Sequence, residues 1–231
     1  MRFPWFLLLL LILPIRAWAA PSPFDACDGA IVQAERESGV PANILPAIGR
    51  VESGRPDLAS GRVRPWPWTI DVQGQGQWFE TKAAAVAAVL AWQAKGIVSI
   101  DVGCMQVNLQ QHPLAFANLE QAFDPAANAA YGARFLSALH RQTGDWAQAV
   151  AFYHSQTPAL GTAYRQRILA GLGAAPALKL LATGPYAAWP PPGLAYAAIP
   201  SATYAYQAFS PRRVALPAEA PRHRLRLARR N

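Results

Sequence analysis

The stretch from Asn43 to Gly54 constrains this chain more than any other. Ile44, Leu45, Ile48 and Val51 recur at the spacing that puts them on one face of an α-helix. Pro46 falls in the first turn, where a missing N–H has no intrahelical partner to lose, and Asn43 is a residue type that caps helix starts. Gly54 supplies a stop. A helix of this kind must bury its apolar face, and Glu52, four residues after Ile48, is then carried to the margin of that face in the last turn. Two readings follow. Glu52 pairs with Arg50 or Arg55 as a surface ion pair, or an apolar surrounding holds it protonated for work as an acid.

The neighbouring segments give an α+β fold, predominantly helical. Asp28 to Arg36 predicts a first helix ending at Ser38-Gly39. From Arg64 to Phe79 the period changes. β-Branched and aromatic residues flank a glycine-containing turn at Gln73 to Gly76, which predicts a β-hairpin whose prolines keep its start at an edge. Thr81 caps an Ala-rich helix running to Lys95-Gly96, and a short strand is expected over Ile97 to Val102. Asp124-Pro125 opens a long helix ending at Thr143-Gly144; Asp145 caps another over Trp146 to His154; a last one covers Ala159 to Leu172.

Charge separates this region from the ends. Residues 20–172 hold 11 Lys and Arg against 12 Asp and Glu, whereas residues 173–231 hold 8 against 1. The helical region therefore lacks the basic excess that nucleic-acid binding requires, and no nucleic-acid partner is expected. Residues 173–231 carry nine of the chain's 21 prolines. Such a composition buries too little apolar surface to offset ordering entropy, so a disordered or extended tail is expected. Its cationic end, from Arg222 to Arg230, suits contact with acidic cell-wall or lipid surfaces, or else a solvated terminus. Residues 1–19, with Arg2, the apolar run from Phe6 to Leu13, and Ala17-Trp18-Ala19, have the pattern of a cleaved secretory signal. Export leaves Cys27 and Cys104, which either form a disulfide or serve as two small buried hydrophobes.

Three motifs carry the chemistry: Arg50-Val51-Glu52-Ser53-Gly54, then Asp101-Val102-Gly103-Cys104-Met105-Gln106-Val107-Asn108, then Ala149-Val150-Ala151-Phe152-Tyr153-His154-Ser155. Their order and spacing, with Asp124-Pro125 and Asn128 between the second and third, resemble the catalytic domain of the soluble lytic transglycosylases, family 1. That resemblance spans about Cys27 to Leu172 and implies a lysozyme-like fold. The Pro65-Trp66-Pro67-Trp68-Thr69 segment looks like an insertion found in a subgroup that includes enzymes of conjugative elements.

The resemblance implies that Glu52 protonates the glycosidic oxygen between N-acetylmuramic acid and N-acetylglucosamine in peptidoglycan, then takes the proton of the sugar's own 6-hydroxyl. A 1,6-anhydro end results. It further implies that Ser53 orients the acid or the substrate, that Gln106 and Asn108 hydrogen-bond within the cleft, that Met105 packs against sugar or acid, and that the Tyr153 hydroxyl lies near the acid. Two positions depart from the family pattern. Cys104 replaces a larger aliphatic residue, and His154-Ser155 replaces Asn-Ala-Gly. A periplasmic enzyme serving a flagellum, pilus, secretion channel or conjugation apparatus is expected.

Asp101 leaves the mechanism open. It precedes its motif as a catalytic aspartate does in animal-type lysozymes, so a second carboxylate and retaining hydrolysis are one reading; a strand residue that pairs with an arginine or caps a turn is the other. A non-catalytic glycan-binding assembly factor is a third reading of the whole chain. Trp66, Trp68 and Trp78 are candidate sugar platforms, with at least one expected in the core. No metal and no cofactor is expected: His112, His140, His154 and His223 lack paired ligand spacing, and no phosphate-binding glycine loop occurs.

Overall fold

The computed structural model describes residues 22–172; the expected signal at 1–19 and the tail at 173–231 lie outside the described residues. Helix α1 (Pro23–Ser38) begins five residues before the predicted start, because Ser22 Oγ accepts from Asp25 N and proline fills the first position. The early turns put Phe24 against Trp66 and bury Cys27, contacts that no local pattern announces. Gly39, in the left-handed region at φ 70°, ends it.

Helix α2 (Ile44–Ser53) starts differently from the expected Asn43 cap. Asn43 is itself left-handed, at φ 74°, and its side chain makes no capping bond. The cap comes from Glu35 of α1, whose two carboxylate oxygens accept from Asn43 N and Leu45 N at 2.8 Å. A charged acceptor at a helix start satisfies two orphan donors and complements the helix dipole. At the other end Gly54 passes directly into strand β1 (Gly54–Asp57).

The one predicted hairpin is two. β1 pairs antiparallel with β2 (Arg62–Pro65), and β3 (Thr69–Val72) pairs with β4 (Gln75–Trp78). The second turn is the two-residue Gln73-Gly74, with φ of 57° and 80°, a conformation that matches strand twist. β5 (Ile100–Val102), shorter than expected, pairs with β3, and β6 (Val107–Asn108) pairs with β5, giving one four-stranded sheet in the order β4-β3-β5-β6. Arg64 of β2 reaches Asp25, Asp28 and Asp57, and so ties the first hairpin to α1.

Helix α3 (Lys82–Gln93), capped by Thr81, covers the sheet, followed by the unpredicted single-turn α4 (Leu119–Ala122). Helices α5 (Pro125–Thr143) and α6 (Trp146–His154) start at their Asp124 and Asp145 caps; α7 (Pro158–Leu172) begins one residue before its expected start. Two apolar cores result. One, around Ile31, Ile48, Met105 and Leu136, joins the helices; the other, around Ile70, Val89, Ile100 and Phe123, lies between the sheet, α3 and α4. Glu52 stands where helical half and sheet meet. This is a lysozyme-like α+β arrangement.

Candidate active site

Glu52 occupies the last turn of α2 and is half-buried. Neither arginine suggested as its ion-pair partner serves it: Arg50 donates to Gly171 O at 2.9 Å, and Arg55 pairs with Glu80. Burial pushes the Glu52 carboxyl up to about 7, helped by the charge of Asp71 and opposed by the Tyr164 hydroxyl and Arg167. An acid at that level is protonated for part of the population at neutral pH and is a competent base once it has given its proton up.

The residue after it anchors the helix end. Ser53 is buried, and its Oγ donates to Cys104 O at 2.7 Å and to Gly49 O at 3.2 Å. It therefore holds the Glu52 turn against the Gly103–Gln106 turn and does not face the cleft. That turn carries left-handed φ at both ends, 81° at Gly103 and 47° at Gln106. A side chain at Gly103 would collide with Asn128. Asn128, fully buried on α5, accepts from Met105 N at 2.8 Å and donates to Val102 O and Ala122 O at 2.9 Å. A disulfide joins Cys27 to Cys104 with a Cα separation of 5.9 Å, pinning the same turn to α1.

These contacts redistribute the expected roles. Met105 is fully buried between Gly49 and Gly132, so of its two expected partners, sugar and acid, its place in the core suits the acid's side. The Gln106 amide nitrogen donates to Thr69 O at 3.1 Å and Gly103 O at 2.9 Å, so the side chain that lines the cleft also closes its own turn. Asn108 donates to Ser99 Oγ at 3.0 Å and accepts from Gln110 N and Gln111 N. It also hydrogen-bonds Asp101 and favours that carboxyl's charged form. Tyr153 donates to Met105 O at 3.0 Å. Its ring lines the cleft, and burial first, then the charges of Glu52 and Asp101, disfavours ionisation of its hydroxyl.

Asp101 lies on β5 with its carboxyl raised to about 7, by burial first and then by Glu52 and Asp71. It pairs with no arginine in an ion pair among the described residues. Its cross-strand partner is Asp71, whose carboxyl burial also raises while Gly74 N–H opposes. Asp71 was not singled out from the sequence. Thr69-Ile70-Asp71-Val72 alternates, which places Asp71 on the face opposite Ile70, but only the strand register shows that this face carries Asp101.

Tyr164 is the second residue that sequence reasoning missed. It is buried on α7, and no ordinary hydrogen-bond geometry is met at its hydroxyl, yet that hydroxyl acts on the Glu52 carboxyl. A signal existed: Tyr164, Ile168 and Leu172 share one helical stripe, and a tyrosine in a buried stripe needs a partner for its hydroxyl. His154 stacks on the Tyr164 ring at 4.9 Å and 8°. Burial, then Arg167, lowers its pKa to about 4, so it is a neutral imidazole at neutral pH.

The cleft itself is lined by Asp101, Gln106 and Asn108 on the sheet side, and by His112, Tyr131, Phe135, Tyr153 and His154 on the other. Glu52 is not itself among the residues that line this stretch, and its carboxyl is coupled to it through the charges of Asp101 and Tyr153. Of the tryptophans, Trp66 is core: it is buried, donates from Nε1 to Phe79 O at 2.7 Å, and packs against Phe24 and Trp68. Trp78 is 49% exposed. Among the described residues no cluster of three or more His, Cys, Asp or Glu is arranged to hold a metal ion.

A desolvated carboxyl at a helix end, coupled to two carboxyls on one face of a small antiparallel sheet beside a cleft of amides and aromatic rings, is the arrangement of the lysozyme-like class. The family model described as "Transglycosylase SLT domain" matches residues 29–167, and the chain belongs to that family. Its activity in general is therefore peptidoglycan cleavage of the lytic transglycosylase type. Neither the comparison with curated proteins nor that with solved structures finds a significant match.

Proposed function

We propose that this protein is a lytic transglycosylase that cuts the bond between N-acetylmuramic acid and N-acetylglucosamine without water, with Glu52 as acid and then base. Protonated Glu52 gives its proton to the bridging oxygen, and the bond from that oxygen to C1 of the muramoyl ring breaks. The muramoyl 6-oxygen then bonds to C1, and its proton returns to Glu52. One strand leaves with a free 4-hydroxyl, the other with a 1,6-anhydro ring, and the enzyme is restored.

The observation that carries this reading is a Glu52 carboxyl raised to about 7 by burial, with no ion pair to Arg50 or Arg55. Ser53 and the Gly103–Gln106 turn position it, and Tyr164 stabilises its charged state between the two proton transfers. The coupling of Asp101 to Glu52 favours a second reading, hydrolysis through two carboxylates. That mechanism needs Asp101 as an anion beside the glycosyl centre. A carboxyl that holds its proton to about 7 serves that purpose poorly, so we prefer the first. Mass spectrometry of digested cell wall separates them: anhydro-muropeptides are expected, and products one water heavier would replace this reading with the hydrolytic one. A Glu52→Gln protein that still cleaved wall would remove Glu52 from both.

We further propose export by cleavage after residue 19, a periplasmic site of action, and service to an envelope-spanning machine of the flagellar, pilus, secretion or conjugation kind. The leader-like sequence, the paired cysteines and the resemblance of the Pro65–Thr69 segment support this. The mass of the mature N-terminus tests the cleavage.

A further inference from the structure

Gly76, Asp71, Asp101 and Asn108 are successive Cα partners across β4, β3, β5 and β6. Ile70, Val72, Ile100 and Val102 point the other way, into the core beneath α3. The row therefore lies on the opposite, outward face, and its Asp101 and Asn108 end lines the cleft. At the Gly76 end the direction is fixed independently: a Cβ there would meet Asp71 Oδ2 at 3.8 Å. Trp78, two residues along β4 and opposite Thr69, shares that face by the pleat of the strand. It is exposed, whereas Trp66 is buried and Trp68 packs on the second core.

We propose that Trp78 and the open lane over Gly76 and Asp71 form a distal subsite that takes a sugar ring of the glycan strand beyond the cleft. The inference rests on the reading of glycan strands as substrate and adds where a long strand is held. Two strand spacings and a two-residue offset put Trp78 about 12 Å from Asp101, Cα to Cα. Only a polymeric ligand bridges that span from the cleft. An indole offers a broad apolar face at the cost of two side-chain torsions, which suits the flat apolar side of a pyranose. Any side chain larger than hydrogen at position 76 would stand in the lane between Trp78 and the cleft. Asp71 Oδ2 faces that lane and is positioned to accept from a sugar hydroxyl, while its Oδ1 accepts from Gly74 N at 2.7 Å.

The test uses full-length protein carrying Glu52→Gln, so that no cleavage occurs, titrated calorimetrically with peptide-free glycan strands and with a single disaccharide. Adding Trp78→Ala is expected to lower the ratio of strand affinity to disaccharide affinity about tenfold, and Trp78→Phe to restore most of it. Gly76→Val, which leaves the indole in place and blocks the lane, is expected to lower the ratio similarly. Circular dichroism checks that each variant folds. Strand affinity within twofold of the parent for both Trp78→Ala and Gly76→Val overturns the subsite and leaves glycan as substrate. A parent protein that binds no strand at all overturns both.

Discussion

Asp71 and Asp101 stand directly opposite each other on β3 and β5, two carboxyls of one sheet face with Glu52 close enough to feel both. Like charges directly opposite on neighbouring strands are destabilising. The fold accommodates them because both are partly desolvated, so each gives up its proton late. The consequence is a cleft with three coupled acids. The proton on Glu52, which the reaction needs, is retained partly because its neighbours resist a further negative charge.

Two single substitutions should therefore move the pH profile in opposite directions. Asp71→Asn removes a group that raises Glu52, so Glu52 should ionise more readily and the alkaline fall of kcat/KM should begin at lower pH, by about half a unit to one unit. Tyr164→Phe removes a hydroxyl that stabilises the Glu52 anion, so the same limb should move to higher pH. Initial rates on purified wall from pH 5 to 9 check both. Shifts of the same sign would contradict the assigned coupling.

Glu52→Gln should cost at least about 100-fold in wall cleavage, the usual contribution of a positioned acid and base. It should also change stability in a pH-dependent way. Glu52 has a folded pKa above its unfolded one, so between about 4.5 and about 7 the folded state binds more protons and stability falls as pH rises. Glutamine removes that loss. The variant should gain on the order of 1 to 2 kcal/mol relative to parent at pH 8 and little at pH 4, read as a Tm difference that widens with pH.

The helices were legible because their signals are local. Asp124, Asp145 and Thr81 cap the helices that follow them, and the Ile44–Val51 stripe delivered Glu52 to a helix end beside the cleft. What stayed hidden depends on partners distant in sequence. Glu35 caps α2 from α1, Tyr164 meets Glu52 across 112 positions of chain, and Asp71 gains meaning only from the β3–β5 register. The direction of Met105 stayed hidden for the same reason: its motif advertises the cleft, but its side chain turns inward onto Gly49 and Gly132.

Asn128 gives a prediction about stability at a distance from the chemistry. Asn128→Ala would leave Met105 N, Val102 O and Ala122 O without their buried partner. Each orphaned group costs about 1 to 3 kcal/mol, so a loss of roughly 3 kcal/mol or more is expected by urea denaturation. Asn128→Asp should fare no better, since it keeps the acceptor for Met105 N and turns two donors into an acceptor facing carbonyls.

The Cys27–Cys104 bridge closes a loop across 77 positions of the chain, and its Cys104 end carries the carbonyl that receives Ser53 Oγ. Removing it should act on both stability and the site. Loop-closure entropy for that length amounts to about 4.5 kcal/mol, so the Cys27→Ser/Cys104→Ser protein should lose most of that, measured by denaturation against the oxidised parent. In whatever fraction remains folded, the Gly103–Gln106 turn is held by hydrogen bonds only, from Asn128, Ser53, Tyr153 and the Gln106 amide. The acid keeps its chemistry but loses placement, so kcat should fall several-fold while the alkaline limb stays near that of the parent. A shift of the limb as large as that caused by Asp71→Asn would mean that the bridge shapes the electrostatics of Glu52 and not its position.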